Sequence, residues 1–429
     1  MKRLIRIVLV LLMVLVFAAC KAKKNEETSD VFTPKLDQET ECKISIVGTY
    51  SNFEALEAEF DRFNEYYPNV EFSYTKIDDY NNSIATVLNG NNAPNIFFSF
   101  SWMIGNSAYD SVFDHMENLA DSKLGINIEC IRSALLNRDG EGRVLTVPIF
   151  STSYGMLVNN DLFEREGVKV PTTYQELLDA CATFRQKGYE SPMMGFSNDS
   201  SGCLMNTVAY PLFAAALAEN PEMVAKANKG DQAAGEYMRS ALVKLVDLID
   251  KKCIDLDKCN ELSGNYDPVI YRFFEGNVPM MICTGDTVSG TGKRESQSEA
   301  FTKNPFTYTF APIPLTDNGG YFLDSTSVQF SVNKSCENLD MTNEFMRFLI
   351  SNTELNEIAS IKRLITTSKD LSFDKVYAPI ANVSQSYIIS PTKLGIEDTL
   401  AVQIRLASYK VAKGELTIDE AIQQYGSLK

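Results

Sequence analysis

The chain has 429 residues, 45% hydrophobic and 22% charged, the composition of an ordinary globular protein long enough for roughly two or three domains. Its 56 acidic residues against 40 basic give a net charge of −16, which argues against a nucleic-acid binder, since that needs a cationic stripe. A single His leaves little room for His-based metal centres or His-driven general-base chemistry.

Lys2, Arg3 and Arg6 precede an unbroken apolar run from Ile7 to Ala19 that meets Cys20. A charged start, an apolar stretch and small residues before a cleavage point make an export signal. The run is too short for a bilayer, which needs about 20 apolar residues. Val16-Phe17-Ala18-Ala19-Cys20 resembles the lipobox of bacterial lipoproteins, with Phe17 in place of the more usual Leu. The resemblance implies that residues 1–19 are removed and that Cys20 is lipid-modified (palmitate and related acyl chains) and becomes the N-terminus. Residues 20–41 read as a flexible tether, because Lys21 to Glu39 offers almost nothing to bury. Loss of Lys2, Arg3 and Arg6 leaves 37 basic groups against 56 acidic, a net charge of −19. Anionic headgroups repel such a surface, so the membrane is reached through Cys20.

Next comes a short strand from Cys42 to Gly48, after which Ser51 and Glu54 have capping-box spacing. Phe53, Leu56, Phe60, Phe63 and Tyr67 recur at helical steps up to Pro68. Val70, Phe72 and Tyr74 alternate as a strand, and Ile84, Val87 and Leu88 mark a helix. Ile96 to Phe100 reads as a strand buried on both faces. This β-α-β-α-β order predicts the start of a doubly wound sheet. A second α/β series begins near Val147-Pro148. It has a strand at Tyr154 to Val158, a helix opened by Thr173 and Glu176, and a strand from Met193 to Phe196. Helices are predicted over residues 203–218 and 235–252, with strands at Pro279 to Cys283, Tyr308 to Ile313 and Ser327 to Val332. Gly290-Thr291-Gly292-Lys293-Arg294 lacks the spacing of a phosphate-binding loop and reads as a flexible loop. The helical tail opens on Thr417 and Glu420, again with capping-box spacing.

Several stretches together resemble bacterial extracellular solute-binding protein family 1, the maltose-binding type of ABC-importer receptor. They are Gly142 to Pro148, Tyr154 to Phe163 running on to Pro171-Thr172-Thr173-Tyr174, and Phe274-Glu275-Gly276-Asn277-Val278-Pro279-Met280-Met281. Pro312-Ile313-Pro314, Asn343 to Leu349 and Gly414 to Ala421 extend the match, so that it covers residues 42–429 in order. Tyr174 stands where the family usually has Trp. The resemblance implies a type II periplasmic-binding-protein-like α/β fold of two lobes, each a doubly wound sheet flanked by helices. Lobe 1 would be residues 42–147 plus 315–352, and lobe 2 residues 148–314 plus 353–429. Val147-Pro148 and Pro312-Ile313-Pro314 would lie at the hinge. It further implies a monomeric carbohydrate receptor that closes on an oligosaccharide and hands it to a membrane permease. The chain would work on the extracytoplasmic side, held to the membrane by its lipid, without cofactor, metal or catalysis.

In doubly wound sheets ligands lie beyond the carboxyl ends of the strands, which independently selects the loops there. Candidate ligand-binding residues are Tyr50, Asn52, Trp102, Tyr154, Asn198, Asp286 and Asp324. Aromatic faces suit the C–H surfaces of a sugar, and short polar groups satisfy its hydroxyls. Asp286 and Asp324 with Tyr-rich loops would equally suit a polyamine or another cationic solute, and one Trp is few for a sugar binder. A secreted carbohydrate-active enzyme would need two carboxylates across the cleft, and a sensor lipoprotein would keep the fold without transport. Eight Cys follow Cys20 with no CxxC pair, which argues against a zinc ribbon or thioredoxin motif. Cys253 and Cys259 are near enough in sequence to bridge, and most thiols are expected free and buried.

Overall fold

The first sheet grows from strands whose alternation leaves no choice of face. In β1 (Cys42–Gly48) Ile44 and Ile46 are buried while Lys43 is exposed. A computed structural model describes residues 31–100, 103, 106–197, 203–262 and 266–429, of which those from Lys35 to Lys429 form one compact unit. The expected export signal and lipidation site, residues 1–19 and Cys20, lie outside the described residues.

After β1, helix α1 (Glu54–Asn64) buries Leu56, Phe60 and Phe63. Its N-cap is Phe53, so the Ser51–Glu54 capping box does not form. Phe53 is 1% exposed, and its ring packs against Tyr50, Phe98 and Phe150; burying that ring sets the start of the helix. β2 (Val70–Lys76), α2 (Tyr80–Leu88) and β3 (Ile96–Ser99) follow. β1 runs parallel to β2, from Cys42 opposite Val70 to Gly48 opposite Lys76, and parallel to β3, with Ile46 opposite Ile96. The predicted β-α-β-α-β order is therefore present.

The chain next forms β4 (Val147–Pro148), β5 (Phe150–Thr152) and β6 (Tyr154–Asn159) in close succession. Beyond them are α3 (Asn160–Glu166), α4 (Tyr174–Gln186), β7 (Met193–Met194), α5 (Cys203–Ala218) and α6 (Arg239–Asp250). Thr173 caps α4 through Glu176 N–H, but the Glu176 carboxylate accepts from Thr172 instead of completing the box. α5 is apolar on most sides, burying Leu204, Met205, Val208, Phe213 and Leu217, and it packs against α6. α7 (Tyr266–Phe274), β8 (Met280–Thr284), α8 (Gly285–Gln297) and β9 (Tyr308–Ala311) complete the second series. The segment Gly290 to Arg294 lies inside α8 and is not a loop. A Cβ at Gly290 would meet Ile270 Cδ1 at 2.7 Å, so glycine there lets α8 close on α7.

β10 (Phe322–Leu323), β11 (Ser325–Thr326) and β12 (Gln329–Val332) again follow in close succession. After α9 (Leu339–Leu349) and α10 (Asn352–Ile361) come β13 (Ile365–Thr366), β14 (Ile388–Ile389), α11 (Asp398–Ala412) and α12 (Ile418–Gln423). Thr417 and Glu420 make the complete capping box expected before α12.

These strands form a five-stranded sheet, β2-β1-β3-β12-β4, and a four-stranded sheet, β7-β8-β6-β9. In the first, β12 is antiparallel to β3 and β4; in the second, β6 is antiparallel to β8 and β9. Between them in sequence is a three-stranded antiparallel sheet, β11-β5-β13. The chain thus passes between the two larger sheets through short strands at Phe150–Thr152 and Ser325–Thr326, with Ile365–Thr366 as the third strand.

Candidate ligand-binding cleft

A cavity of about 530 Å³ opens where elements of both larger sheets converge. Phe100, just past the carboxyl end of β3, and Asn81 of α2 line it from one side. Tyr154 at the start of β6 lines it from the four-stranded sheet, and Ser325, Thr326 and Ser327, in and just after β11, line it from the small sheet. Asn206 and Tyr210 of α5, with Asp398, Val402 and Arg405 of α11, close the remainder.

The lining alternates flat aromatic surface with short polar groups. The Tyr154 and Tyr210 rings meet edge to face, 5.2 Å between centroids and 82° between planes, which orients both rings. Burial pushes the Tyr210 phenol well above its ordinary range, so it stays protonated and can donate. Asn206 and Tyr210 stand one turn apart on an otherwise apolar helix, and Asp398 and Arg405 stand two turns apart on α11.

Three lining atoms are buried and have no hydrogen-bond partner among the described residues: Asn206 Oδ1, Ser325 Oγ and Arg405 Nε. A buried polar atom without a partner costs about 1–3 kcal/mol, so three around one cavity are paired most simply by a ligand. Among the described lining residues Arg405 is the one base, and Glu397 and Asp398 are the acids. Burial raises the Asp398 carboxyl above its ordinary range against the opposing pull of Arg405.

Of the residues expected from sequence, Tyr154 lines this cavity. Asp324 is 4% exposed and faces Arg132, whose Nε and Nη2 reach its two oxygens at 3.1 and 2.7 Å. Arg132 also donates to Ser151 Oγ at 2.9 Å and to the Thr366 carbonyl. One guanidinium thus joins β5, the residue before β11, and β13. Asp286, in the first turn of α8, accepts from Ser327 Oγ at 2.6 Å. Its carboxyl is raised by burial, with the Ser327 and Thr152 hydroxyls pulling the other way. It therefore stands behind a lining residue. Tyr50 packs its ring against Phe53 and Phe98 at 5.0 and 5.7 Å, and its N–H donates to Tyr74 Oη at 2.9 Å. Asn52 is exposed on the turn into α1. Trp102 and Asn198 lie outside the described residues. Asn206, Tyr210, Asp398 and Arg405 are absent from the sequence-derived set because that set was drawn from loops after strands, and these four lie on helices. The available signal was polar residues at i, i+4 in the apolar 203–218 segment.

Among the described residues no group of three or more His, Cys, Asp or Glu could hold a metal ion, and no helix is long and apolar enough to cross a membrane.

A family model described as bacterial extracellular solute-binding protein matches residues 48–354. In structure, the chain is similar to the apo-form of RafE from Streptococcus pneumoniae, with a TM-score of 0.69 and 13% identity over 93% of this chain and 98% of that one. It is similar to the GacH receptor of Streptomyces glaucescens, described unliganded and in complex with acarbose, with a TM-score of 0.63 and 19% identity over 90% and 97% of the two chains. A sugar transporter protein from Bacillus licheniformis in complex with stachyose gives a TM-score of 0.62 and 15% identity, covering 90% of this chain and 100% of that chain. No curated protein matches the chain in sequence.

Proposed function

We propose, for a chain that belongs to the bacterial extracellular solute-binding protein family, that it captures an oligosaccharide in the cavity lined by Tyr154, Tyr210, Asn206 and Arg405. The observation that carries this reading is the lining itself. Aromatic faces alternate with buried polar atoms that lack partners, the complement of a ring with C–H faces and hydroxyl edges. Structural neighbours with sugars in their descriptions, raffinose, stachyose and chitin oligosaccharide among them, support the same class.

The five-stranded and four-stranded sheets are the cores of the two lobes in this reading, and β5, β11 and β13 are the hinge. Placing the boundaries at these strands gives residues 315–323 to the second lobe, supported by the Tyr174 N–H to Thr316 carbonyl bond at 2.9 Å. Rotation about the short strands would close the cavity over its cargo and open it again at a membrane permease. Lipidation at Cys20, with residues 20–41 as tether, would hold the receptor near that permease at high effective concentration.

A cationic cargo fits less well. The two carboxylates expected from the sequence to hold an amine are engaged, Asp324 by Arg132 and Asp286 by Ser327, and of the two acids that do line the cavity, Glu397 and Asp398, the second shares it with Arg405. The same engagement weighs against a glycoside hydrolase built on those two carboxylates. Thermal-shift screening of the exported protein tests the proposal. An oligosaccharide at 100 times its dissociation constant stabilises by about 2.7 kcal/mol. Response to spermidine but to no neutral sugar would overturn the cargo assignment.

A further inference from the structure

Asp286 stands one hydrogen bond behind the cleft, and its contact decides what Ser327 can offer a cargo. Ser327 lines the cavity, and its Oγ donates to Asp286 Oδ1 at 2.6 Å. The backbone fixes both ends of that bond. The Ser327 N–H donates to the Phe150 carbonyl of β5 at 2.9 Å, and the N–H of Gly285, the residue before Asp286, donates to the Ser153 carbonyl at 2.9 Å. The Gly285 carbonyl in turn accepts from Tyr377 Oη at 3.5 Å, a phenol that is fully buried. Asp286 also sits in the first turn of α8, where the helix N-terminus favours a negative side chain, so the carboxylate acts as an acceptor. A serine hydroxyl has one hydrogen and two lone pairs. With that hydrogen committed to Asp286 and its N–H to Phe150, the Ser327 side chain has only lone pairs left for the cavity.

We propose that Asp286 is a positioning residue that holds Ser327 as a hydrogen-bond acceptor, so that this wall of the cleft selects a cargo presenting an unsubstituted hydroxyl to it. The inference rests on the sugar reading of the cavity and adds the hydrogen-bonding role of one wall. A hydroxyl that donates to a carboxylate is polarised by it and accepts more strongly, so a chain from cargo hydroxyl to Ser327 to Asp286 is charge-assisted at its inner end. Asn206 Oδ1, a buried acceptor without a partner among the described residues, asks for a donor in the same way, whereas Arg405 Nε asks for an acceptor. A sugar carries both on every hydroxyl. An ether, ester or carboxylate set against Ser327 would bring lone pairs to lone pairs and leave the serine oxygen unpaired, which rejects O-alkylated, O-acylated and acidic sugars at this position. Without Asp286 the Ser327 hydroxyl is free to turn its hydrogen into the cavity, and the selection is lost.

The test is a double-mutant cycle read by calorimetric titration of the exported protein with raffinose, stachyose, maltotriose and di-N-acetylchitobiose. For a sugar that binds the wild type, Ser327→Ala should weaken binding about 10-fold and Asp286→Ala several-fold. Adding Asp286→Ala to Ser327→Ala should weaken it no further, because Asp286 acts through Ser327. Asp286→Asn, equal in size, gives the same cycle with smaller losses if the alanine variant does not fold, since its amide oxygen still accepts. A carboxylate that only supported the fold would weaken binding by the same factor with Ser327 or Ala at position 327, and that result would overturn the proposal. So would equal sugar affinity in the wild type and Ser327→Ala. Binding of none of these sugars by the wild type would count against the sugar reading itself and take this inference with it.

Discussion

Replacing Arg132 by Met removes a side chain that touches β5, β13 and the residue leading into β11. The ion pair with Asp324 is buried, the side chains being 13% and 6% exposed, so solvent screens it little. Taking away one partner of such a pair leaves an uncompensated buried charge and costs about 3–5 kcal/mol. The Ser151 hydroxyl and Thr366 carbonyl lose a donor as well. Unfolding entropy near about 2.1 cal/mol/K per residue, over roughly 400 residues, converts that cost to a fall of about 4–6 °C in Tm. Differential scanning calorimetry reads it directly. Arg132→Lys keeps the charge but not the planar fork and should fall between wild type and Arg132→Met. Arg132→Met with Asp324→Asn should lose less than the two single variants summed, because neither charge is then stranded. A fall of under 1 °C for Arg132→Met, or additive losses in the double variant, would refute the role given to this clamp.

Glu59 is fully buried, with its Oε1 accepting from Arg62, whose Nε binds Glu354 Oε2 at 2.7 Å. Burial first, and then the hydrogen bond with Glu354, push its carboxyl up to about 10 from 4.5 despite Arg62. The stability it lends is full below pH 4.5 and is lost as pH rises toward 10. Glu59→Gln, neutral at every pH, should therefore gain Tm relative to wild type between pH 6 and pH 9; a constant difference would refute this. Gly155→Ala should destabilise by about 1–3 kcal/mol through overpacking, since its Cβ would collide with the Ala311 carbonyl oxygen; urea denaturation with no change in midpoint would contradict the contact. Thr417→Ala should cost about 1 kcal/mol by removing the capping box of α12, and an unchanged midpoint in the same assay would show that the cap contributes nothing.

Long periodic segments were readable because each carries its own signal. Ile44 and Ile46 alternate, Phe60 and Phe63 repeat at helical spacing, and β1, β2 and β3 pair in parallel as their order implies. The Ser51 capping signal was overridden by tertiary burial of Phe53 two residues later. The crossing strands β5, β11 and β13 are two or three residues long, too short for any period. Asp324 had a visible charge, but its partner Arg132 is 192 residues away and no local pattern announces the pair. The cleft is split in the same way. Tyr154 could be read from its place beside a strand, whereas Asn206 and Arg405 meet only through the docking of α5 on α11.

The most direct test of the cleft is calorimetric titration of the exported protein with neutral oligosaccharides, alongside Tyr210→Ala and Arg405→Gln. The wild type should bind one sugar per chain. Loss of a charge-assisted hydrogen bond or of an aromatic face is worth about 1.5–3 kcal/mol, so each variant should bind at least about 10-fold more weakly. Tyr210→Ala also empties a buried site and should lower Tm by several degrees, whereas Arg405→Gln should leave Tm nearly unchanged. Equal sugar affinity in wild type and both variants would place the cargo elsewhere and contradict the assignment of this cleft.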